Sequence, residues 1–505
     1  MSMTNRVLRG AFWAYASLFS SKLVVFLANA WLVRLLSPRE FGYRGMAFII
    51  IGLIELLQGL GVNEALIYQK EEAEKTKETV FVVNLGLGAL FSTILVLFGL
   101  LVVPGINTAG VLSRLLGETN IADIKVALGL LPVMGLSFFI LSIGKTHETL
   151  LQKELDYKTK FWPEFISAVV RSAVAIWLAL AGYGVYSLVY SYIVGCIFRT
   201  ISNWIVVPWR PKFKYYPEVA KTIWRFGGGM TVFNLAASGF DQIDEIVIGA
   251  GLGSVSLGYY TEAQRIPSLL ISNLNVVLTN VLFPAYSEIR DDFEMLRKGY
   301  IAATRYVNLL VIPLALGVFL VAPQFVHIYF GPDWDLAIPL LQWLTLSMLW
   351  MTMAWNVGDV VKAIGRPGLL TRLIVLEAAV NIPLLITGAT LDARGITGHP
   401  ALGATIGSSM GFLFGTVIRL ILASRLLKLS FREIVNLYWE GFLAGGLMML
   451  GVTLVQRFVI AWGDLPVILI SVGVGVLIYT GVLLAVARST LATAWTTLVG
   501  FFKSR

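Results

Sequence analysis

The sequence predicts an all-α integral membrane protein of about 14 transmembrane helices, arranged as two six-helix pseudo-repeat lobes plus two C-terminal helices. Composition is the first reason: 57% of the 505 residues are hydrophobic and only 14% are charged. Soluble domains usually carry about 25% charged residues, and a spanning helix needs about 20 apolar residues. The other two reasons are a regular series of apolar segments and a weak internal repeat. Together they disfavour soluble multidomain enzymes, disordered scaffolds and secreted disulfide-linked proteins.

Fourteen apolar segments alternate with short polar connections. Irregular backbone that faces lipid leaves its hydrogen-bonding groups unsatisfied, so each segment is expected to be helical. The segments cover 11–36, 41–67, 79–103, 121–144, 164–182, 184–207, 222–250, 262–286, 300–322, 337–357, 369–391, 399–424, 438–460 and 464–487. We expect an N-terminal lobe over 1–207, a C-terminal lobe over 208–430, and helices 13 and 14 with a cytoplasmic tail over 431–505.

The distribution of positive charge predicts the topology. With the N-terminus placed inside, the cytoplasmic stretches carry 29 of the 39 lysines and arginines, and the outer side carries 6. Cytoplasmic loops of membrane proteins are enriched in these residues. We therefore predict a multi-pass membrane protein with both termini in the cytoplasm. The net charge of +9 is explained by this asymmetry, so no nucleic-acid partner is expected.

The longest polar insertions are short. Residues 145–163 place leucines and aromatic residues among lysines, which predicts an amphipathic helix at the cytoplasmic surface. Residues 323–336 form an aromatic outer loop suited to the membrane interface. Neither insertion is large enough to be a soluble catalytic domain, so we do not expect an enzyme.

Sequence motifs for metals and cofactors are missing. The single cysteine, Cys196, and three scattered histidines provide no metal-ligand spacing. The sequence contains no Walker A motif, and the GAGLG run at 249–253 follows no strand, so it is interpreted as a hairpin turn rather than a dinucleotide loop. We therefore predict no metal, no cofactor and no ATP hydrolysis by the chain.

The internal repeat has a period of 216 residues. This shift aligns Gly42 and Tyr43 with Gly258 and Tyr259 without gaps, within the matching runs LLSPREFGY and GLGSVSLGY. Helices 1–6 and 7–12 are then two related halves, which is typical of alternating-access transporters.

Five cations lie within or near the ends of predicted spans. Lys22 and Arg171 lie deepest, whereas Arg34, Arg44 and Arg265 lie near outer ends. Ionisable groups in spans are costly and indicate a function by default, and an arginine fork suits phosphate. We predict Lys22, Arg44, Arg171 and Arg265 as substrate-binding residues and Arg34 as a gating residue. The alternative for Arg34, Arg44 and Arg265 is that their side chains snorkel to the interface.

Acidic residues form stripes on two predicted helices. Glu55 follows Arg44 by eleven residues, about 20° around the helix. Asp241 and Glu245 share a face of segment 7, with Asp244 adjacent. We predict that these four acidic residues close an outer gate with the arginines or bind a coupling ion, H⁺ or Na⁺. A static buried ion pair is the alternative.

Segment 12 carries a glycine at every fourth position. Such a smooth ridge permits close approach of a neighbouring helix, and we assign it a structural role. The glycines are Gly403, Gly407, Gly411 and Gly415. Glu377 and Asn381, one turn apart in segment 11, are likewise assigned to helix packing.

Several runs resemble one transporter family. They include LVRLLSPREFG at 32–42, GVNEALIYQKE at 61–71, LQKELDYK at 151–158, IVIGAGLGSVSLGYYTEAQRIPSL at 246–269 and VLFPAYSEIRDD at 281–292. In this order they resemble Wzx-type polysaccharide flippases. Within the multidrug, oligosaccharidyl-lipid and polysaccharide exporter superfamily, the nearest resemblance is to the colanic-acid and teichuronic-acid exporter branch.

The resemblance implies a function and partners. The cargo would be an undecaprenyl-diphosphate-linked oligosaccharide, moved between two six-helix lobes from the inner to the outer leaflet of a bacterial plasma membrane. Membrane lipids, a polysaccharide polymerase and chain-length proteins would be the other partners. In the related lipid II flippase, arginines of helices 1, 2 and 8 face the cavity, and Lys22, Arg44 and Arg265 occupy those helices here. A lysine in helix 1 departs from that pattern, as does the acidic run FDQIDEIVIG at 240–249.

Two other functions remain open from the sequence. A cation-coupled drug exporter of the same superfamily would need an acidic binding lobe, whereas positive residues dominate the membrane interior of the first half. A membrane glycan polymerase or ligase, an enzyme, would normally need large outer loops, and those of this chain are short.

Overall fold

The computed structural model describes residues 3–59, 62–68, 73–105, 118–154, 156–221, 223 and 242–486. Nearly all of them lie in helices, and no strand occurs within these ranges. The predicted all-α class is therefore confirmed. The chain divides into two compact units, Met1–Gly258 and Tyr259–Arg505. The lobe boundaries given above stay predictions.

The first unit contains eight helices in its described part, and a ninth begins in it and ends in the second unit. They are α1 (Met3–Leu35), α2 (Pro38–Gly59), α3 (Val62–Tyr68), α4 (Ala73–Leu97), α5 (Glu118–Gly129), α6 (Leu131–Lys153), α7 (Tyr157–Leu180), α8 (Val185–Val206) and α9 (Ile243–Pro267). Close pairs of antiparallel helices, α4 with α6 and α7 with α8, form the body of this unit.

The second unit continues the series. Its described helices are α10 (Asn273–Glu288), α11 (Phe293–Tyr329), α12 (Ala337–Met353), α13 (Val357–Ala363), α14 (Pro367–Ala393), α15 (Leu402–Leu427), α16 (Phe431–Asn436), α17 (Trp439–Val459) and α18 (Asp464–Val486). The last two spans pack on α11, where the Tyr479 hydroxyl donates to the carbonyl of Leu309 at 2.7 Å.

The predicted spans have helical counterparts. In the described residues, eleven helical stretches are long and apolar enough to cross a membrane, and α1 and α2 correspond to the first two predicted segments. Most of the seventh segment, 222–250, lies outside the described residues. The chain is thus an integral membrane protein that crosses the bilayer many times.

The predicted surface helix at 145–163 is wrong. Helix α6 continues to Lys153, and α7 begins at Tyr157. Asp156 caps α7 by accepting a hydrogen bond from the backbone N–H of Thr159 at 3.1 Å. The pattern misled because the ends of two packed helices each contribute one polar face. Similarly, α11 extends to Tyr329, so the outer aromatic loop is shorter than 323–336.

The last residue of the run at 249–253, Gly253, interrupts helix α9. Gly253 has φ 87° and ψ −179°, which breaks α9 into two helical pieces. Asp123 of α5 caps the second piece by accepting from the backbone N–H of Ser254 at 3.1 Å and from its hydroxyl at 2.5 Å. The hydroxyl of Tyr43 donates to the same carboxylate at 3.1 Å.

The repeat also has a structural counterpart inside the first unit. A Cβ added at Gly42 would lie 1.8 Å from the carbonyl oxygen of Ser254, and one added at Gly258 would lie 1.8 Å from that of Pro38. The shift that aligns Gly42 with Gly258 also aligns Pro38 with Ser254. A reciprocal contact of this kind is what a two-fold relation produces. The two matched segments therefore meet through equivalent residues.

The glycine ridge of α15 packs against α14, as predicted. A Cβ at Gly407 would lie 2.2 Å from the carbonyl oxygen of Leu384, and one at Gly411 would lie 2.4 Å from the side-chain nitrogen of Asn381. Gly403 faces Gly388 in the same way. The backbones of the two helices approach closely because no side chain separates them.

Candidate functional site

A polar cavity lies inside the first unit. Its volume is about 310 Å³, and α2, α3, α4, α6 and α8 supply its walls. The lining residues are Ile51, Glu55, Gln58, Asn63, Asn84, Ser137, Phe138, Leu141, Ser142, Lys145, Glu148, Thr149, Gln152, Tyr192, Arg199, Thr200 and Asn203. Polar groups on so many spanning helices are expensive in a membrane protein, which indicates a functional site.

The packing of α6 against α8 fixes the charged wall of this cavity. The hydroxyl of Thr200 donates to the carbonyl of Ile140 at 2.9 Å, and the indole of Trp204 donates to that of Ile143 at 2.9 Å. Gly144 permits this approach, since a Cβ there would lie 3.2 Å from the Cα of Thr200. The register places Arg199 of α8 beside Glu148 of α6.

Four charged side chains form a network at this wall. The Arg199 guanidinium donates to Glu148 Oε1 at 2.9 Å, and Lys160 Nζ lies 3.4 Å from the same oxygen. Glu164 of α7 lies 3.6 Å from Lys160 and 3.8 Å from Arg199. Two carboxylates and two cations therefore neutralise each other. Such a network is stable in a partly buried place because each charge has an opposite partner.

Amides and hydroxyls form much of the remaining lining. Asn63 Oδ1 accepts from Asn84 at 3.1 Å and from the Thr149 hydroxyl at 3.2 Å. Asn203 is only 3% exposed, and its Oδ1 accepts no hydrogen bond from the described residues. A buried acceptor of this kind is costly unless something satisfies it.

Aromatic rings connect the cavity to two of the predicted cations. Tyr192 lines the cavity and packs edge-on against Phe48, with ring centroids 5.1 Å apart. The Arg171 guanidinium lies 5.2 Å from the centroid of Tyr192, and that of Arg44 lies 5.7 Å from the centroid of Phe48. These cation–π contacts hold Arg44 and Arg171 beside the cavity rather than in its lining.

Comparison with known proteins settles the family. Residues 31–339, more than half of the chain, match the family described as polysaccharide biosynthesis protein. The chain belongs to this family. The resemblance to polysaccharide flippases inferred from the sequence motifs is thereby confirmed.

Three relatives are similar in sequence to this family member over most of its length. The lipopolysaccharide biosynthesis protein WzxC of Escherichia coli K12 is 24% identical, over 88% of this chain and 86% of WzxC. The teichuronic acid biosynthesis protein TuaB of Bacillus subtilis is 26% identical over 73% of each chain. The succinoglycan biosynthesis transport protein ExoT of Rhizobium meliloti is 25% identical over 76% of this chain and 74% of ExoT.

Solved structures share the fold. The lipid II flippase MurJ, in an inward closed conformation, matches with a TM-score of 0.70 and 14% identity, over 95% of this chain and 99% of that chain. An inward-facing multidrug transporter of the MATE family matches with a TM-score of 0.60 and 20% identity, over 81% of this chain and 96% of that chain. The all-α membrane fold predicted for this polysaccharide biosynthesis protein agrees with these structures.

In this family member, the other predicted cations lie in different surroundings. Lys22 and Arg34 are exposed on α1. Arg265 lies 3.0 Å from Glu262, a fully buried carboxylate on the preceding turn of α9. The substrate-binding role of Lys22 and Arg265 and the gating role of Arg34 stay predictions.

The predicted acidic residues are also separated. Glu55 is exposed on α2 and lines the cavity. Asp244 is buried and Glu245 half-buried at the start of α9, whereas Asp241 lies outside the described residues. Gating and ion coupling by these residues stay predictions. Within the described ranges, no cluster of histidine, cysteine and carboxylate side chains is suited to a metal ion.

Sequence analysis missed the charged network and Asn203. The topology count places Lys160 and Arg199 among the cytoplasmic positive charges, and the sequence analysis assigns no role to Glu148. One signal could have found them: Arg199 lies well inside the apolar segment 184–207, where an ionisable residue indicates a function or a buried partner. Asn203 carried no comparable signal, because an asparagine near a helix end is common.

Proposed function

We propose that this protein moves undecaprenyl-diphosphate-linked oligosaccharide units across a bacterial plasma membrane by alternating access, for surface polysaccharide synthesis. The observation that carries the proposal is a polar cavity with charged walls among spanning helices, in a member of the polysaccharide biosynthesis protein family. The names of its relatives point to glycan export, since they include a transport protein for succinoglycan.

The physical problem explains why a flippase needs polar and charged side chains among its spanning helices. A diphosphate that crosses hydrocarbon unaided faces a desolvation cost of order tens of kcal/mol. Polar side chains that replace water remove most of this cost, while the lipid tail stays in the bilayer. Lys22 and Arg171, with Arg44 and Arg265, bind the diphosphate during the crossing.

The remaining parts of the proposal concern the cycle. Arg34, Glu55, Asp241, Asp244 and Glu245 act in gating or bind the coupling ion, H⁺ or Na⁺. Both termini lie in the cytoplasm, and a polysaccharide polymerase with its chain-length proteins receives the cargo outside. Catalysis has no part in this function, so the protein acts as a transporter rather than an enzyme.

A liposome assay tests the proposal. Purified protein is reconstituted with fluorescent undecaprenyl-diphosphate oligosaccharide, and an external quencher reports its transfer between leaflets under imposed ion gradients. We expect wild type to transfer the lipid and Lys22→Ala and Arg171→Ala to do so about tenfold more slowly or worse, since each loses a charge-assisted bond worth about 1.5–3 kcal/mol.

The exposed Lys298 gives the matched control, because Lys298→Ala removes a lysine to which no role in substrate binding is assigned. Equal rates in all four proteins would overturn the assignment of Lys22 and Arg171. Absence of transfer by wild type, with gradient-driven movement of a cationic dye instead, would replace the flippase by a drug exporter.

A further inference from the structure

We infer that the cavity of the first unit is a binding pocket for an uncharged sugar ring of the cargo, and that the diphosphate binds elsewhere. This inference rests on the proposed function, and it assigns the pocket a role in selecting the glycan. It depends on four observations: the balance of charge, the hydrogen-bonding groups, the apolar part of the lining and the volume.

The charges of the lining cancel. It contains two carboxylates, Glu55 and Glu148, and two cations, Lys145 and Arg199. Arg199 already binds Glu148 at 2.9 Å, and Glu164 lies 3.8 Å away. A diphosphate would have to take Arg199 from Glu148, a side chain only 11% exposed, and leave that carboxylate with Lys160 at 3.4 Å as its remaining close cation, and weakening a partly buried ion pair is costly. The pocket therefore disfavours an anionic headgroup.

The neutral polar lining suits sugar hydroxyls. Nine lining side chains are uncharged amides or hydroxyls, which both donate and accept hydrogen bonds as sugar hydroxyls do. They are Gln58, Asn63, Asn84, Ser137, Ser142, Thr149, Gln152, Thr200 and Asn203. Asn203 is the strongest single indication, because this residue lines the cavity and its buried Oδ1 has no hydrogen-bond donor among the described residues, so that a rotation of the amide would present an unsatisfied acceptor to a ligand. A ligand hydroxyl would satisfy it.

The rest of the lining suits the C–H faces of a sugar ring. Ile51, Phe138, Leu141 and the ring of Tyr192 provide apolar surface beside the amides. Phe48 and Arg171 hold that tyrosine ring in place from neighbouring helices. A sugar has hydroxyls at its edge and C–H groups on its faces, so a lining of both kinds recognises it better than either kind alone.

The volume limits the ligand. About 310 Å³ is at the lower end of small-molecule pockets, which span about 300–1,000 Å³. One or two sugar rings suit this space, whereas a complete repeat unit with its lipid does not. The pocket would thus bind part of the glycan while the lipid remains in the bilayer.

Direct binding tests the inference independently of transport. Calorimetry on the purified full chain uses D-glucose, D-galactose, N-acetyl-D-glucosamine and D-glucuronate as probes. We expect at least one of the three uncharged sugars to bind and glucuronate to bind more weakly. Asn203→Leu, which keeps the side-chain size, should raise the Kd of the uncharged sugar about three- to tenfold, the effect of one neutral hydrogen bond.

Two further variants keep the result interpretable. Gln152→Leu removes a second lining amide and should weaken binding in the same way, so a folding defect in one variant does not decide the test. Asn308→Leu is the matched control, because Asn308 is a buried asparagine of the second unit whose Oδ1 also has no partner in the described residues, beside a space of only about 10 Å³. Its Kd should equal that of wild type.

The outcomes separate this inference from the proposed function. Three results would overturn the assignment of the pocket, even if the liposome assay shows flipping. They are that wild type binds none of the sugars, that both Asn203→Leu and Gln152→Leu leave the Kd unchanged, or that glucuronate binds most tightly. Asn203-dependent sugar binding by a protein that transfers no lipid-linked glycan would uphold the pocket and overturn the flippase. In a protein that flips, Asn203→Leu should raise KM for a lipid-linked neutral sugar and leave kcat unchanged.

Discussion

The two units contain corresponding helices but differ in how their interiors are filled. In the first unit, α2, α3, α4, α6 and α8 surround a cavity of about 310 Å³. In the second unit, the space among α10, α11 and α12 is about 10 Å³. There Asn356 donates to Thr304 at 2.7 Å, and Asn275 donates to Thr352 at 2.9 Å. Side-chain pairing thus fills this part of the second unit, whereas polar side chains of the first unit border open space.

The ion pairs of the two units differ in the same sense. Glu148 and Arg199 border the cavity of the first unit. In the second unit, Arg419 of α15 binds Glu377 of α14 with two hydrogen bonds, at 2.6 and 2.7 Å. Gly415 lies against this carboxylate, since a Cβ there would be 3.1 Å from its Cδ. The first pair faces open space, whereas the second fastens two closely packed helices.

The largest effect should come from breaking the fastened pair. Arg419→Met leaves Glu377 as a buried, unpaired carboxylate and should cost about 3–5 kcal/mol of stability. Arg199→Met should cost less stability, because Glu148 still forms an ion pair with Lys160 at 3.4 Å and borders a cavity. Thermal melting of both variants in detergent measures the difference.

A double variant provides the control for that prediction. Adding Glu377→Met to Arg419→Met removes both charges, and the Tm should recover most of the loss, because apolar replacements of a whole buried pair are often neutral or stabilising. A larger loss of Tm for Arg199→Met than for Arg419→Met would contradict the contrast between the two pairs.

A smaller effect is expected at the glycine ridge. Gly407→Ala places a Cβ 2.2 Å from the carbonyl oxygen of Leu384, so α14 and α15 must separate. Overpacking of this kind costs about 1–3 kcal/mol. In α4 of the first unit, a Cβ at Gly86 meets nothing within 4 Å, and Gly86→Ala should stabilise that helix by up to about 1 kcal/mol. Thermal melting with circular dichroism compares the two variants. Equal melting temperatures would mean that the second unit is not closed by close packing.

The parts of the structure that could be predicted depend on local sequence pattern. The spans follow from runs of apolar residues, and the ridge of α15 follows from glycines four residues apart, because a helix places such residues on one face. Glu55 was predicted as functional from its position inside a span, and it lines the cavity. Each of these features is contained within one helix.

The cavity wall could not be predicted in the same way. Glu148 and Arg199 are 51 residues apart, and their contact depends on the register between α6 and α8. That register is set by Gly144, Thr200 and Trp204, whose roles appear only when the helices are packed. Hydropathy and charge counts treat each helix separately. They therefore count Arg199 as a charge that sets membrane topology and do not detect its ion pair with Glu148.

The smallest effect distinguishes a helix connection of the second unit from one of the first. His399 lies between α14 and α15 and donates from Nε2 to the carbonyl of Leu336 at 2.8 Å, whereas the connection between α7 and α8, at 181–184, has no histidine. Burial lowers the pKa of His399 below its usual 6.5, against the raising effects of the Leu336 carbonyl and of Asp392. The unfolded chain therefore binds more protons near pH 6, and stability falls as the pH drops below about 6.5. Because the ring is only half-buried, we expect the Tm to fall by no more than about 2 °C between pH 7.5 and 5.5. His399→Gln should remove that part of the decline, and an unchanged pH profile in this variant would show that His399 does not contribute.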